Sequence, residues 1–214
     1  MSRAKVGVLI SGRGSNLQAL IDAASAGAPF ELCVVISNRA DAGGLDRALR
    51  AGVDTVIVDH KAFGKDRAAF EAVLDNALRA HGAEWVALAG FMRVLTPYLV
   101  GRWAGRMINI HPSLLPAFAG LDTHERALAA GVKLHGATVH YVADSVDEGA
   151  IIAQAGVAVR PDDTPESLAA RVLEAEHQLF PLALSLAVSG TNSDVRGFGP
   201  PMAAPPLLNG WLSS

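Results

Sequence analysis

Cysteine is nearly missing from this 214-residue sequence, in which Cys33 stands alone. A single thiol closes no intramolecular disulfide and builds no cysteine-rich zinc site. Set in the apolar run Leu32-Cys33-Val34-Val35-Ile36, it reads as a buried structural thiol rather than a nucleophile. An excess of one charge is missing too. The 18 Lys and Arg against 21 Asp and Glu leave a net charge of −3. That is no electrostatic footprint for a nucleic-acid partner, although a small local basic patch can still hold a phosphate. No run approaches the ~20 apolar residues of a membrane span. The most apolar late stretch, Leu179 to Val188, is short and carries Pro181. Arg3 and Lys5 precede an apolar run, but Gly12 and Arg13 end it after about one strand's length, which is not a signal peptide. The expectation is a cytoplasmic protein with neither nucleic acid nor membrane among its partners. No His-Glu-x-x-His or similar ligand cluster is present, so no metal site is expected. The absence of a Gly-x-Ser-x-Gly elbow argues against a serine hydrolase.

Half of the residues are hydrophobic, 18% are charged and 21 are glycine. Such a chain can bury a core and is not disordered over most of its length. At about 100–200 residues per domain, the length fits one large domain or two small ones. Over the first 110 residues, short β-branched runs alternate with helical patterns. Val6 to Ile10 reads as a buried strand. Leu17, Leu20, Ile21 and Ala24 follow at helical spacing, with Ser15 as N-cap and Gly27 as stop. Leu32 to Ile36 is a second strand, Leu45 to Ala51 a short helix followed by Gly52, and Val56 to Val58 a third strand. Asp66 to Ala80 is helical, Trp85 to Ala89 a fourth strand and Met107 to His111 a fifth. Strands apolar on both faces and separated by helices predict a parallel sheet covered on both sides.

The pattern then changes. Gly136 to Val142 alternates like a half-exposed strand, and Ile151 to Val159 is another, joined to it by the turn from Asp144 to Gly149. This part is expected to be antiparallel. Thr164-Pro165-Glu166 starts a helix with proline at its first position, and that helix ends or bends at Pro181. The expected fold class is α/β: a Rossmann-like, mostly parallel twisted sheet with helices on both faces and antiparallel strands added near the C-terminal part. Residues 1–190 form the expected domain, and 191–214 a Gly/Pro-rich tail, extended or mobile. There is no internal repeat.

Three constellations carry chemistry. Ser11-Gly12-Arg13-Gly14-Ser15-Asn16 lies between the first strand and helix, where free amides bind phosphate. A dinucleotide fingerprint requires glycine where Leu17 stands and an acidic residue near Ser37 and Asn38. No Gly-Lys-Ser/Thr follows as in a Walker loop. The loop therefore suits a phosphate monoester better than NAD or ATP, with a plain tight turn as the other reading. In Ile108-Asn109-Ile110-His111-Pro112-Ser113, Asn109 and His111 share one face of a strand and the isoleucines the other. An Asn amide and a protonated His can both donate to a developing oxyanion, although the same pair also occurs for structural reasons. The acidic turn from Asp144 to Glu148 offers Asp147 to hold His111 charged, or is a solvated hairpin loop. His60 and His81 read as surface residues. His135 and His140 flank a strand segment, while His124 and His177 fall in helical patterns.

Together these segments resemble the phosphoribosylglycinamide formyltransferase (GAR transformylase) family, folate-dependent enzymes of purine synthesis. The resemblance rests on Ile10 to Leu17, Leu88-Ala89-Gly90-Phe91-Met92-Arg93, Ile108 to Pro116 and Gly120-Leu121-Asp122-Thr123-His124. It continues through His135 to His140 and Glu174-Ala175-Glu176-His177, from Lys5 to about Gly190. It implies 10-formyltetrahydrofolate as donor cosubstrate, without a metal, and the amine of phosphoribosylglycinamide as acceptor, in a monomer or homodimer. By the resemblance Asn109, His111 and Asp147 are catalytic. Asn109 and protonated His111 stabilise the oxyanion of a tetrahedral intermediate. Asp147 sustains the charge of His111 and helps move the amine's proton. The acceptor phosphate falls to Gly14, Ser15 and Asn16, and the ribose hydroxyls to Glu176. The folate falls to Arg67, Met92, Arg93, Val94 and Leu95, with Asn109, and with Ala143 and Asp144 along the pterin pocket. Three departures stand out: Arg13 at a variable loop position, Ala117 and Ala119 in place of larger residues, and one residue inserted before Arg67. A formyltetrahydrofolate hydrolase shares the Asn and His and is the alternative. Such proteins usually carry an extra N-terminal domain, whereas the first strand here begins at about Lys5. Methionyl-tRNA formyltransferase needs a further RNA-binding domain, and a non-catalytic binding module leaves the Asn, His and Asp unexplained.

Overall fold

The computed structural model describes residues 3–190, so the expected tail of 191–214 lies outside the described residues. The elements in chain order are β1 (Ala4–Ile10), α1 (Ser15–Ser25), β2 (Phe30–Ser37), α2 (Gly44–Arg50) and β3 (Thr55–Ile57). After a 3-10 turn at His60–Phe63 come α3 (Arg67–Ala80), β4 (Trp85–Leu88), α4 (Pro97–Arg102) and β5 (Met107–His111). The chain closes with α5 (Thr123–Ala129), β6 (Leu134–Tyr141), β7 (Ile151–Ala158) and α6 (Pro165–Val188). The strands form one sheet in the order β3-β2-β1-β4-β5-β6-β7. β1 to β5 pair in parallel, while β5–β6 and β6–β7 are antiparallel, as the change of pattern predicts.

Strand periodicity divides the core into two layers. Val6, Val8 and Ile10 of β1 pack with α1 and α6, whereas Leu9 packs with α3 and α4 around Leu74, Leu78, Leu99 and Trp103. Ile108 and Ile110 of β5 lie in the first layer and Met107 in the second, so Asn109 and His111 emerge on the face opposite the isoleucines. The chain runs outward from β1 to β3 and then returns to place β4 on the other side of β1. Ligands of open α/β sheets bind at such a switch point, outside the carboxyl ends of the strands. The loops after β1, β4 and β5 all lie at that edge.

Four expectations change. Ser15 is the first residue of α1 and not its cap. Gly14 occupies the cap position at φ 72°, ψ 32°, with no side-chain hydrogen bond there, so the first amides of the helix carry no local acceptor. β6 is not half-exposed: Gly136 to His140 are buried, because the strand sits between β5 and β7 with α6 against it. α6 does not end at Pro181 but continues to Val188. The missing amide of a mid-helix proline costs about 3 kcal/mol or more. Beyond the proline, burial of Leu184 at ~1.5–3 kcal/mol, with Ala183 and Ala187 buried beside it, offsets that. Cys33 is half-buried, and its surroundings push the thiol above its ordinary range, which keeps it protonated. Among the described residues no helix is long and apolar enough to cross a membrane.

Candidate active site

The site grows from the end of β5. Strand alternation sends Asn109 and His111 to one face, and the antiparallel neighbour β6 sets His140 opposite Asn109 and Thr138 opposite His111. Asn109 Nδ2 lies 3.2 Å from His140 Nε2. His140 Nδ1 lies 2.9 Å from the Tyr141 carbonyl, which only accepts, so Nδ1 carries the proton. Burial lowers the proton affinity of His140 and keeps the ring neutral. Its Nε2 is then an acceptor, and it fixes the Asn109 amide with the second N–H hydrogen free.

The β6–β7 turn brings Asp147 back over this pair. Its Oδ2 lies 3.3 Å from His111 Nδ1 and accepts from the Gly120 amide at 2.9 Å, and its Oδ1 lies 3.7 Å from His140 Nε2. Asp147 adopts φ 58°, a left-handed backbone that aspartate tolerates better than most residues. Asp144 and Glu148 of the same turn are exposed, and Asp147 is the carboxylate of the acidic cluster that meets the two imidazoles. His111 is 6% exposed, and its Nε2 lies 3.2 Å from the Phe118 carbonyl. Carboxylate and carbonyl both accept, so the imidazolium form, with two N–H groups, satisfies both neighbours at once.

Asn109, His111 and Asp147 line one cavity of about 970 Å³, together with Met92, Arg93, Val94, Leu95, Ala143 and Asp144. This is the size range of small-molecule sites. The wall from Met92 to Leu95 is pinned by polar contacts. The Met92 amide donates to Ser11 Oγ at 2.8 Å, and that hydroxyl donates to Asn38 Oδ1 at 2.6 Å. The Thr96 amide donates to Glu71 Oε1 at 2.7 Å, and the Thr96 hydroxyl donates to Glu71 Oε2. Arg67 is not among the lining residues; from α3 its guanidinium donates to the Val94 carbonyl.

Gly14, Ser15, Asn16 and Glu176 form a second group outside the lining of this cavity. Asn16 Nδ2 donates to Glu176 Oε2 at 2.6 Å across 160 residues of sequence. Among the described residues, Asn16 Oδ1 is buried without a partner. Burial raises the proton affinity of the Glu176 carboxyl, partly opposed by the Asn16 amide. The Ser11–Met92 hydrogen bond links the segment carrying the second group to the wall of the first.

Several residues of the site escape a reading of the sequence. His140 touches both Asn109 and Asp147. His135 is wholly buried and edge-on to His124, with ring centroids 5.2 Å apart, and to Phe118 at 5.8 Å. Burial, with His124 close by, pushes the His135 imidazole down to about 4, and burial with His111 nearby lowers His124. His60 is half-buried against Asn38 and is not a free surface residue. The one available signal is the run of polar residues His135, Thr138 and His140 in the strand that pairs with β5.

An amide donor beside an imidazole held by a carboxylate, at the carboxyl edge of a sheet of this topology, is equipment for stabilising an oxyanion during acyl transfer. The sequence profile of the formyl transferases matches residues 4–184, which sets the class. Phosphoribosylglycinamide formyltransferase of Escherichia coli is 45% identical over 184 residues, covering 86% of this chain and 86% of that protein. The crystallised phosphoribosylglycinamide formyltransferase of Coxiella burnetii superposes with a TM-score of 0.84 at 49% identity, covering 88% of this chain and 89% of the other. The chain belongs to the phosphoribosylglycinamide formyltransferase family. It also matches the human trifunctional purine biosynthetic protein adenosine-3 at 50% identity over 190 residues, and there it spans only 19% of the relative's length.

Proposed function

We propose that this protein transfers the formyl group of 10-formyltetrahydrofolate to the amine of 5-phosphoribosylglycinamide, giving formylglycinamide ribonucleotide and tetrahydrofolate in purine biosynthesis. The observation that carries this reading is the placement of Asn109 and His111 side by side on a cavity wall, with Asp147 against the imidazole. The cavity suits the donor: Leu88, Phe91, Met92 and Val142 offer apolar surface to a flat ring, and the segment at Ala143 and Asp144 offers polar backbone. The family relation supports the same donor class.

In this reading the amine attacks the formyl carbon, a new C–N bond forms, and the carbonyl oxygen becomes an oxyanion. The free N–H of Asn109 and the Nε2–H of His111 donate to it. The second of these exchanges the Phe118 carbonyl for the substrate oxygen. Asp147 accepts from Nδ1, and the proton lost by the amine passes by way of water to the folate nitrogen as that nitrogen leaves. The bond from the formyl carbon to the folate nitrogen then breaks, and that nitrogen is protonated. Gly14, Ser15 and Asn16 present amides at the uncapped start of α1 to the acceptor phosphate, where the helix dipole favours an anion. Glu176, fixed by Asn16, receives the ribose hydroxyls. Met92 to Leu95 wall the folate, with Arg67 supporting them.

The hydrolase alternative is not favoured, because it leaves the loop at Gly14 without a ligand and the relatives are transferases by name. The test is consumption of 10-formyltetrahydrofolate with and without phosphoribosylglycinamide. Loss of donor only when the amine is present is expected, and equal loss in both would overturn the transferase reading.

A further inference from the structure

An anion-binding loop has a problem that its glycines do not solve. Each trans peptide that turns an amide toward the ligand points its carbonyl the opposite way, so the amide stays aimed only while that carbonyl is held from behind. In the loop from Gly12 to Gly14 all three carbonyls have partners elsewhere. The Gly12 carbonyl accepts from the Gly44 amide at 3.0 Å, and the Gly14 carbonyl accepts from the Gln18 amide at 3.0 Å inside α1. The Arg13 carbonyl accepts from Arg47 Nε at 2.9 Å, and Arg47 Nη1 donates onward to Gln18 Oε1 at 3.2 Å. Two of the three donors thus come from α2, which carries no role in the site described above.

The contact between α2 and the loop is tight. A Cβ on Gly14 would stand 2.6 Å from Gly44 Cα, and one on Gly44 would stand 2.5 Å from Ile10 Cδ1 and 3.2 Å from Gly14 Cα. The backbone of α2 therefore abuts the loop with no side chain between them, and Arg47 bridges the loop to the first turn of α1.

We propose that Arg47 is a positioning residue for the acceptor. Its guanidinium holds the Arg13 carbonyl and so aims the Gly14 amide of the same peptide at the phosphate, beside the amides of Ser15 and Asn16. The inference rests on the assignment of that loop to the acceptor phosphate, and it extends the acceptor site to a residue of α2. A planar fork with several donors is needed, because one group must serve the Arg13 carbonyl and Gln18 simultaneously; a lysine ammonium lacks that geometry.

The experiment compares Arg47→Met and Arg47→Lys with the unmodified protein. Steady-state kinetics of Arg47→Met should show the KM for phosphoribosylglycinamide raised about tenfold, the size of losing a hydrogen bond from a charged donor. The KM for 10-formyltetrahydrofolate and kcat should stay within about twofold on the same scale. Arg47→Lys keeps the charge and should recover only part of the loss. Full recovery would make Arg47 a source of charge alone and would overturn the positioning role, as would an unchanged acceptor KM or an equal rise in both KM values. Calorimetric titration with inorganic phosphate reads the loop independently of turnover. Its Kd should weaken in parallel in both variants, and an unchanged Kd would overturn the proposal even if formyl transfer is confirmed. Should the unmodified protein transfer no formyl group yet the phosphate Kd still respond to Arg47, the reaction assigned above fails while the support of the loop stands. Should Arg47→Met not fold, Arg47→Lys alone decides, by the same split between acceptor and donor.

Discussion

Acidification should destabilise this protein through one buried imidazole. His135 is 0% exposed, wedged edge-on against His124 and Phe118, and burial holds it down to about 4. In the unfolded chain the same ring titrates near the ordinary histidine value of about 6.5. Between those two values the unfolded state binds a proton that the native state refuses, so stability falls as pH falls. The contribution is fully present above about pH 6.5, is lost progressively below it, and levels off below about pH 4. At about 1.4 kcal/mol for each tenfold difference in proton affinity, the full span is worth up to about 3 kcal/mol. Carboxylates lose stability in an overlapping range, so the effect is isolated by difference. His135→Phe keeps an aromatic ring against Phe118 and His124 and cannot titrate. Urea unfolding of both proteins from pH 7.5 down to pH 4 (conditions chosen about the interval derived above) gives two stability curves whose shared carboxylate part cancels. The gap between them should shift by up to about 3 kcal/mol in favour of the phenylalanine protein as pH drops. Parallel curves would refute the reasoning, because they would mean that His135 takes up its proton as readily folded as unfolded.

Two further outcomes follow from the site. His111→Ala should lower kcat by at least about 10²-fold, the usual scale for removing an oxyanion donor. Binding of phosphoribosylglycinamide, measured by calorimetry, should be retained, and retained turnover would remove His111 from the chemistry. Gly14→Val places a branched side chain at φ 72° and 2.6 Å from Gly44 Cα, a strain of order 1–3 kcal/mol. It should raise the acceptor KM well beyond the donor KM, whereas equal loss of both would make the loop a support of the whole fold.

Much of this architecture is legible before folding is considered, and the legible parts share a cause. Met107 to His111 is assigned to its boundaries because Met107, Ile108 and Ile110 give a short strand its apolar contacts, with Asn109 and His111 falling on alternate positions between them. The parity of those two residues follows from the strand period alone. Whether Asp147 reaches His111 does not, since it depends on how the turn after β6 folds back; nor does the role of His140, which the β5–β6 register alone sets beside Asn109. The six-residue α4 is too short to show a period. Pro181 misleads because local cost is outweighed by the apolar side chains that follow it into the core. Arg47 is illegible for a different reason: its partner is a backbone carbonyl, and no residue type marks a carbonyl in need of a donor.

The left-handed backbone at Asp147 narrows what mutation can do at that position. A glycine relieves the conformation but discards the carboxylate. Asparagine tolerates the same backbone and keeps the shape, but brings no charge to His111. Glutamate keeps the charge on a longer arm and adds a side chain that this conformation disfavours. Each single exchange therefore satisfies either the geometry of the turn or the electrostatics of the imidazole, and aspartate alone satisfies both. A screen of all substitutions at this one codon should return an almost empty set of active clones, with the exposed neighbour Glu148 far more permissive.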